Sequence, residues 1–236
     1  MKLLALDTSS DACSVALDRD GTVIERHVLR PKEHTRLLLP MIEEVLAEAG
    51  VAIRDLDAIV PGIGPGSFIG VRIAISVAQG MAFAAGRRIV PVSSLAAVAA
   101  EAFAGEGVER VVVAQDAHMQ EVYLARFARA RGGLPEAVGE ADLHAIAAID
   151  ALSGAEAGRW HAAGAGWRRY PALLARNEER LAGLVPVEHP RARFLLGPGR
   201  AAVADAGTIS PEQLVPAYVR QKVAKVPDGI GRRDAS

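Results

Sequence analysis

The stretch LLALDTSSDACSVALDR, residues 3–19, has two apolar runs separated by a short polar turn. The first run ends at Asp7, and the second alternates apolar and polar side chains, a pattern typical of a half-buried strand. An Asp20–Gly21 turn signal and a third apolar run follow. The sequence therefore begins with three predicted strands joined by tight turns, with an aspartate at the end of the first.

The next residues alternate between helix and strand patterns. Residues 34–49 place apolar side chains at the i, i+3, i+4 spacing of an amphipathic helix, and Gly50 is a typical stop. Further helices are predicted over 67–85 and 93–105, each after a short apolar strand. This order of elements, βββαβαβα, predicts a self-contained α/β unit.

A second stretch, RVVVAQDAHMQEVYLARFAR at residues 110–129, repeats the opening pattern. An apolar run ends at Asp116, and a polar turn and a second strand-like run follow. Hairpins are common, so one such match is slender support for duplication, but the later segments also alternate between helix and strand patterns. We therefore predict two related α/β lobes of the βββαβαβα type, at residues 1–106 and 107–236, the second being smaller and ending in a polar tail.

The composition is that of a globular, core-forming protein. Half of the 236 residues are hydrophobic and the formal net charge is −1, which argues against a protein that holds nucleic acid alone through a broad basic face. The single cysteine, Cys13, lies mid-strand, where a small buried hydrophobe is expected. The apolar runs after Met1 and at 71–85 are too short for a signal peptide or a membrane span. We expect a cytoplasmic protein with no membrane segment.

The glycine-rich loop GIGPGSFIGVR, residues 62–72, precedes the second predicted helix. It lacks the lysine of a P-loop, and the spacing of a dinucleotide-binding loop would place Ser67 or Ile69 where the third glycine belongs. Two interpretations remain. The loop is either a helix N-terminus that attracts an anion or a tight turn in which Ser67 caps the helix.

Metal and acyl-transfer chemistry have little support in the sequence. No two of the six histidines have the i, i+4 spacing that aims two imidazoles at one ion, so no metal site is predicted. His34 is predicted to cap its helix or to lie on the surface, and His118 lies in the second hairpin turn. A GxSxG nucleophile motif fails because Pro65 stands two residues before Ser67.

Asp7 and Asp116 are the strongest acidic candidates, because each ends a predicted strand just before a turn. Aspartates in such places hold magnesium or water in phosphotransferases, so one interpretation is a cleft that uses both carboxylates. The alternative is structural, with each carboxylate accepting hydrogen bonds from its own turn. The sequence leaves both open, and we assign no catalytic residue and only these two weak candidates for binding a cofactor.

The second predicted helix, at 67–85, is apolar on nearly every side and rich in alanine. A surface helix would show a polar stripe, so both faces of this helix are predicted to be covered. One face can pack on the sheet. The other is predicted to contact the first helix or a partner chain, or to be buried between the lobes.

In combination these segments resemble the bacterial TsaB family, also called YeaZ. The resemblance is close over residues 3–127 and loose from there to the closing segment at 216–226. One departure is Ile69, where family members commonly carry Thr, and it makes a phosphate role for the loop less favoured. The segments that carry the resemblance are, in order, LLALDTSSDACSVAL, HTRLLLPMIEEVLAEAG, GIGPGSFIGVRIAISVAQGMA, VPVSSLAAVA, QDAHMQEVYLARF and PAYVRQKVAK.

The resemblance implies the two-lobed fold of the actin, sugar kinase and Hsp70 ATPase (ASKHA) superfamily. It also implies a function in forming N6-threonylcarbamoyladenosine (t6A) at position 37 of tRNAs that read codons beginning with A. In that family the paralogue TsaD transfers the threonylcarbamoyl group, and the ATPase TsaE joins the complex. TsaB is a non-catalytic scaffold without a cofactor of its own, so tRNA, ATP and ADP are expected to meet the chain only in the complex.

The resemblance further implies how the partners meet. The helices near 34–49 and 67–85 pack against the matching helices of TsaD, or against a second copy in a homodimer when TsaD is absent. Where TsaD has a helical histidine pair for its metal, this chain has His34 followed one turn later by Leu38. The residues predicted to form the interface are His34, Leu38, Met41, Ser67, Phe68, Arg72, Ile75, Ala78, Gln79 and Ala82.

Two enzymes stand as alternatives to that scaffold. A small magnesium-dependent phosphotransferase or ATPase of the ASKHA type would use Asp7 and Asp116. A metallopeptidase would need a metal site, which the spacing of the histidines does not supply.

Overall fold

The computed structural model describes residues 1–148 and 159–219. They form two β-sheets, each with helices on both faces. The strands of the first sheet are β1 (Lys2–Asp7), β2 (Ala12–Arg19), β3 (Thr22–Leu29), β4 (Ala58–Pro61) and β5 (Arg88–Ile89). Their order is β3-β2-β1-β4-β5, with β1 antiparallel to β2 and parallel to β4.

Three helices complete the first repeat. They are α1 (His34–Ala49), α2 (Phe68–Ala85) and α3 (Ser94–Phe103). Both α1 and α2 end at a glycine, Gly50 and Gly86, with a left-handed φ of 63°, a conformation that glycine adopts without steric cost. The α1 and α2 helices begin and end within one residue of the predicted positions.

The second sheet repeats the first. Its strands are β6 (Arg110–Asp116), β7 (Glu121–Arg129), β8 (Pro135–Ala137), β9 (Asp142–Ala145), β10 (Trp160–Ala163) and β11 (Leu181–Leu184). The order is β11-β10-β6-β7-β8, and β9 also pairs with β7. With β6 matched to β1 and β7 to β2, the two sheets share one strand order. The predicted two-lobed, duplicated α/β fold is thereby confirmed.

The second repeat differs from the first in its connections. It has the additional strand β9, and two short helices, α4 (Ala165–Arg169) and α5 (Pro171–Asn177), lie between β10 and β11. The connection from β8 to β10, which corresponds to the one that holds α1 in the first repeat, includes residues 149–158. Those residues lie outside the described part of the chain. The predicted pattern LHAIAAIDAL, residues 143–152, extends into them.

The two faces of the first sheet pack against different helices. Leu4 and Leu6 of β1 pack with α1 and α2, and Leu3 and Ala5 pack with α3 and with α6 (Leu196–Ala204) on the other face. Cys13 of β2 is fully buried, as expected of a small hydrophobe, and burial raises the pKa of its thiol to about 12. The thiol is therefore unreactive.

The chain returns to the first sheet after β11. Leu195 and Leu196 pack in the same cluster as Leu3, and Leu214 is buried against α2 in the cluster on the opposite face. Residues 192–214 thus contact the first sheet, although they follow the second in sequence. The division of the chain at residue 106 stays a prediction.

The α2 helix is unusually apolar. Among the described residues it is the one helix long and apolar enough, by length and composition, to cross a membrane, with a mean hydropathy of 1.6 over its 18 residues. Core helices of soluble proteins pass the same test. Here α2 packs on β1, β4, β5 and α1, so its composition is in part explained by the core.

Candidate functional site

The loop between β4 and α2 packs directly on the turn between β1 and β2. A Cβ atom at Gly66 would overlap the carbonyl oxygen of Ser9, and one at Gly70 would overlap that of Thr8. Thr8 Oγ1 also donates a hydrogen bond to the Gly70 carbonyl at 2.6 Å. Glycine is therefore required at these two positions because two backbone segments touch.

Several backbone amides of this loop have partners within the chain. Gly64 N donates to Ser94 Oγ at 3.0 Å, and Ser67 N donates to Ser9 O at 2.7 Å. Ser67 Oγ in turn accepts from Gly70 N at 3.2 Å, which makes Ser67 the cap of α2. The interpretation of the loop as a tight turn in which Ser67 caps the helix is confirmed, and the amides of Gly64, Ser67 and Gly70 are already engaged within the chain.

Asp7 lies at the end of β1, as predicted, but its carboxylate is enclosed. It is 1% exposed and accepts hydrogen bonds from Ser9 N at 2.8 Å, Ser9 Oγ at 2.7 Å and Ser94 Oγ at 2.6 Å. Burial raises the pKa of Asp7, an effect that the bonds from Ser94 and Ser9 oppose. The bond to Ser9 N is the predicted Asx turn, so the role shown for Asp7 is to hold the turn and the loop together.

Asp116 ends β6 in the equivalent position of the second repeat. Its Oδ1 accepts from His118 N at 2.9 Å, again an Asx turn, and from the Tyr170 hydroxyl at 2.6 Å. Its Oδ2 pairs with Arg169 Nε at 3.0 Å. No local pattern points to Tyr170 or Arg169, because both residues are more than 50 positions away from Asp116 in the chain.

A pocket of about 220 Å³ lies beside Asp116, between the start of α2, the β6–β7 turn and residues 216–219. Its walls include the rings of Phe68 and Tyr218. The Arg72 guanidinium lies 3.3 Å from the centroid of the Phe68 ring and donates to the Tyr218 hydroxyl at 2.6 Å. This stacking ties the segment that follows α6 to the first turn of α2.

Six of the ten predicted interface residues are buried in the first lobe. The prediction that His34 caps its helix or lies on the surface is wrong, since Glu33 is the cap position and His34 is 7% exposed. Burial also lowers the pKa of His34. The other five, each at most 5% exposed, belong to the core cluster between α1, α2 and the sheet, and they are Leu38, Met41, Ile75, Ala78 and Ala82. All six side chains are buried in the isolated chain, and their assignment to the interface stays a prediction.

The remaining four predicted residues are at least partly exposed, and most of them have contacts within the chain. Ser67 is the α2 cap, and Arg72 stacks on Phe68. Gln79 Nε2 donates to the carbonyls of Pro211 and Leu214 at 3.0 and 3.2 Å. Of the four, Phe68 presents the most apolar surface, since it is 51% exposed.

A further exposed surface of α2 lies on the side opposite to Ala78, away from most of the predicted interface residues. We call this surface the outer stripe and define it as Ile69, Ile73, Ser76, Gly80 and Phe83. Ile69 is 69% exposed and Phe83 is 75% exposed, and the spacing of three and four residues places all five members on one side of the helix. On α1, Leu39 is a further apolar side chain that is 50% exposed.

Residues 1–148 and 159–219 contain no group of three or more His, Cys, Asp or Glu side chains arranged to hold a metal ion. At the position one turn after His34, Leu38 fills the core and is 1% exposed. Among the described residues, neither the histidine spacing nor the arrangement of acidic side chains supplies a metal site.

Curated relatives match nearly the whole chain. The tRNA threonylcarbamoyladenosine biosynthesis protein TsaB of Escherichia coli (strain K12) is 37% identical over 95% of this chain and 96% of its own length. The protein of the same name from Haemophilus influenzae is 36% identical over 94% of this chain and 95% of its own length.

Solved structures agree with these relatives. YeaZ from Pseudomonas aeruginosa is 39% identical and superposes with a TM-score of 0.83 over 92% of this chain and 99% of its own. A second structure, described as an uncharacterized protein with similarity to peptidase YeaZ from Pseudomonas aeruginosa, is 40% identical, with a TM-score of 0.85 over 93% and 99% of the two chains. Residues 28–162 match the family model of TsaD, tRNA N6-adenosine threonylcarbamoyltransferase. The chain belongs to the TsaB (YeaZ) family.

Proposed function

We propose that this chain acts in t6A formation as a non-catalytic subunit, and that it pairs with a TsaD-type threonylcarbamoyltransferase through the outer stripe. The observation that carries the proposal is the exposure of Ile69 and Phe83 on a helix whose other side packs in the core. Large apolar side chains gathered on one exposed helix face mark interaction sites. The t6A role is supported by the names of relatives that match almost the full chain.

A homologous partner is favoured because residues 28–162 match the TsaD model itself. A paralogue would carry corresponding helices, and two pairs of such helices can pack face to face. The same argument supports a homodimer when the TsaD-type partner is absent, since a twofold contact uses the same patch on both copies.

A non-catalytic role is supported by the state of the two aspartates. Asp7 is enclosed by Ser9 and Ser94, and Asp116 already accepts from its turn, from Tyr170 and from Arg169. Neither arrangement favours the magnesium-dependent phosphotransferase or ATPase. We therefore assign the chemistry to the partner.

The wider assembly is part of the same proposal. With a formal net charge of −1, the chain has little electrostatic attraction for tRNA by itself, so we place the tRNA contact in the complex. We likewise propose that TsaE joins this complex, that ATP or ADP meets the chain only there, and that the complex is cytoplasmic.

The test is a reconstituted threonylcarbamoylation reaction with a TsaD-type enzyme, with this chain added or left out. We expect product only when the chain is present. The double variant Ile69→Glu/Phe83→Glu should fail to restore product, because it places two charges on the outer stripe.

A matched control carries two charges at exposed apolar positions elsewhere, Leu29→Glu/Leu184→Glu, where the side chains are 57% and 42% exposed. It should restore product like the unmodified chain. Modification of tRNA by this chain alone would overturn the non-catalytic role, and full activity of the Ile69→Glu/Phe83→Glu variant would overturn the interface.

A further inference from the structure

A second pocket, of about 300 Å³, lies where residues 186–191 pass from the second sheet to the first. The segment is held to the second sheet by Gln115, whose Nε2 donates to the Glu188 carbonyl at 2.6 Å. It is held to the first by Arg191, whose Nη2 donates to Glu25 of β3 at 2.5 Å. The polar side chains that line the pocket are His27, Glu101, Arg168, Glu188, His189 and Arg191.

Unpartnered polar atoms are concentrated in this lining. In residues 1–148 and 159–219, six buried side-chain nitrogens have no hydrogen-bond partner, and three of them belong to the pocket: His27 Nδ1, His189 Nδ1 and Arg191 Nε. A buried polar group without a partner destabilises the folded chain. Three such groups around one cavity favour a polar occupant, either water or a ligand.

The Arg191 guanidinium is fixed in position by its other nitrogens. Nη2 contacts Glu25, and Nη1 lies 3.4 Å from Glu101 Oε1. The Nε–H that is left over is a donor at any pH a protein tolerates. The occupant must therefore bring an acceptor to Arg191 Nε.

The charges of the lining balance. Arg168 pairs with Glu188 at 2.9 Å, and Arg191 lies beside Glu101, so the pocket presents two cations and two carboxylates. A dianion such as phosphate would meet Glu101 and Glu188 as well as the arginines, which disfavours it. A molecule that carries one charge of each sign matches the lining better.

We propose that this pocket binds a small zwitterion, a free α-amino acid. Its carboxylate accepts from Arg191 Nε–H and from the two imidazoles, and its ammonium group faces Glu101. Burial lowers the pKa of both His27 and His189, so each is a neutral ring near pH 7 and donates from Nδ1 in one of its two tautomers. The site is independent of the outer stripe, because its lining comes from β3, α3, α4 and residues 186–191.

The test is calorimetric titration of the full chain with L-alanine, and with acetate, methylamine and inorganic phosphate for comparison. We expect saturable binding of alanine with a Kd in the millimolar range or tighter. Acetate and methylamine, each with only one of the two charges, should bind at least about tenfold more weakly.

One variant and one control make the test specific. Arg191→Lys keeps the positive charge beside Glu25 and Glu101 but removes the Nε–H donor, and it should weaken alanine binding about tenfold. His161→Gln is the control, because His161 Nδ1 is also unpartnered but the residue lies in β10 and does not line the pocket. It should leave the affinity unchanged.

A second measurement follows the imidazoles directly. In long-range proton–nitrogen NMR spectra, alanine should shift the ring signals of His27 and His189 and leave those of His161 in place. No saturable heat and no shift up to roughly 50 mM alanine would mean that the pocket holds only water, which overturns the proposal. Tighter binding of phosphate than of alanine, or unchanged binding in Arg191→Lys, would overturn it as well.

Discussion

The two faces of α2 have almost the same chemistry and opposite surroundings. Ala78 and Ala82 on the inner face are fully buried against the sheet. Ile69 and Phe83 on the outer face are 69% and 75% exposed. The two alanines are small side chains next to the sheet, whereas Ile69 and Phe83 are large side chains that face outward. The fold therefore explains the inner face, and the proposed partner contact would explain the outer face.

The largest expected effect comes from placing a charge on the inner face. Ala78→Glu would put a carboxylate without a partner into the core and should lower the free energy of unfolding by about 3–5 kcal/mol. Ala84→Glu is the matched control in the same helix, because Ala84 is exposed, and it should change stability by no more than about 0.5 kcal/mol. Urea unfolding followed by circular dichroism measures both. Equal effects of the two variants would show that the inner face is not packed as described.

The next effect concerns the outer stripe in the isolated chain. Ile69→Glu/Phe83→Glu should leave the free energy of unfolding within about 1 kcal/mol of the unmodified chain, because both side chains are mostly exposed. It should nevertheless weaken self-association about 100-fold or more, since like charges would face each other in a homodimer. Sedimentation over a range of concentrations measures the association. If the charged variant self-associates as the unmodified chain does, the stripe is not the contact.

A smaller effect on stability is expected at Ser67, the residue that caps α2. Ser67→Ala removes the hydroxyl that caps α2 and should cost about 1 kcal/mol of stability. Ser76→Ala, in the middle of the outer stripe, should be neutral within about 0.5 kcal/mol, because alanine favours a helix interior. Thermal unfolding of the two variants compares them. If the Ser67→Ala variant is as stable as Ser76→Ala, the Ser67 hydroxyl does not stabilise the start of α2.

The smallest effect is a pH dependence that comes from Asp7, which anchors the loop before α2. Burial raises the pKa of Asp7 above its ordinary value of 3.8, so the folded chain holds this proton more tightly than the unfolded chain. The corresponding stability is fully present below pH 3.8 and decreases as the pH rises through the folded pKa.

Asp7→Asn is uncharged at every pH, so this decrease should be absent. Its free energy of unfolding should fall less than that of the unmodified chain as the pH rises from 3.8. The measurement is the midpoint of denaturant unfolding at a series of pH values. If the two proteins have the same pH profile, the conclusion that burial raises the pKa of Asp7 is wrong.

Most of the fold could be predicted from the sequence because its signals are local. The apolar periodicity of α1 and the glycines that end α1 and α2 are visible within single segments, as is the hairpin pattern that repeats at Asp116. The additional strand β9 and the return of residues 192–214 to the first sheet were not predicted. Both depend on contacts between distant segments, which short patterns do not encode.

The orientation of α2 is not encoded in a local sequence pattern, for a different reason. A helix that is apolar on both sides has no polar stripe to show which side faces outward, and the family resemblance placed Ala78 and Ala82 at the interface. They are instead close to the sheet. The available signal was the position of the large side chains, since Ile69, Ile73 and Phe83 share the side opposite to Ala78.

The most direct test of the central claim is the Kd between this chain and a TsaD-type protein, measured by calorimetry with the two double variants. We expect Ile69→Glu/Phe83→Glu to weaken binding about 100-fold or more, and Leu29→Glu/Leu184→Glu to bind like the unmodified chain. Unchanged affinity of the Ile69→Glu/Phe83→Glu variant, with its fold intact by circular dichroism, would contradict the assignment of the outer stripe as the partner-binding surface.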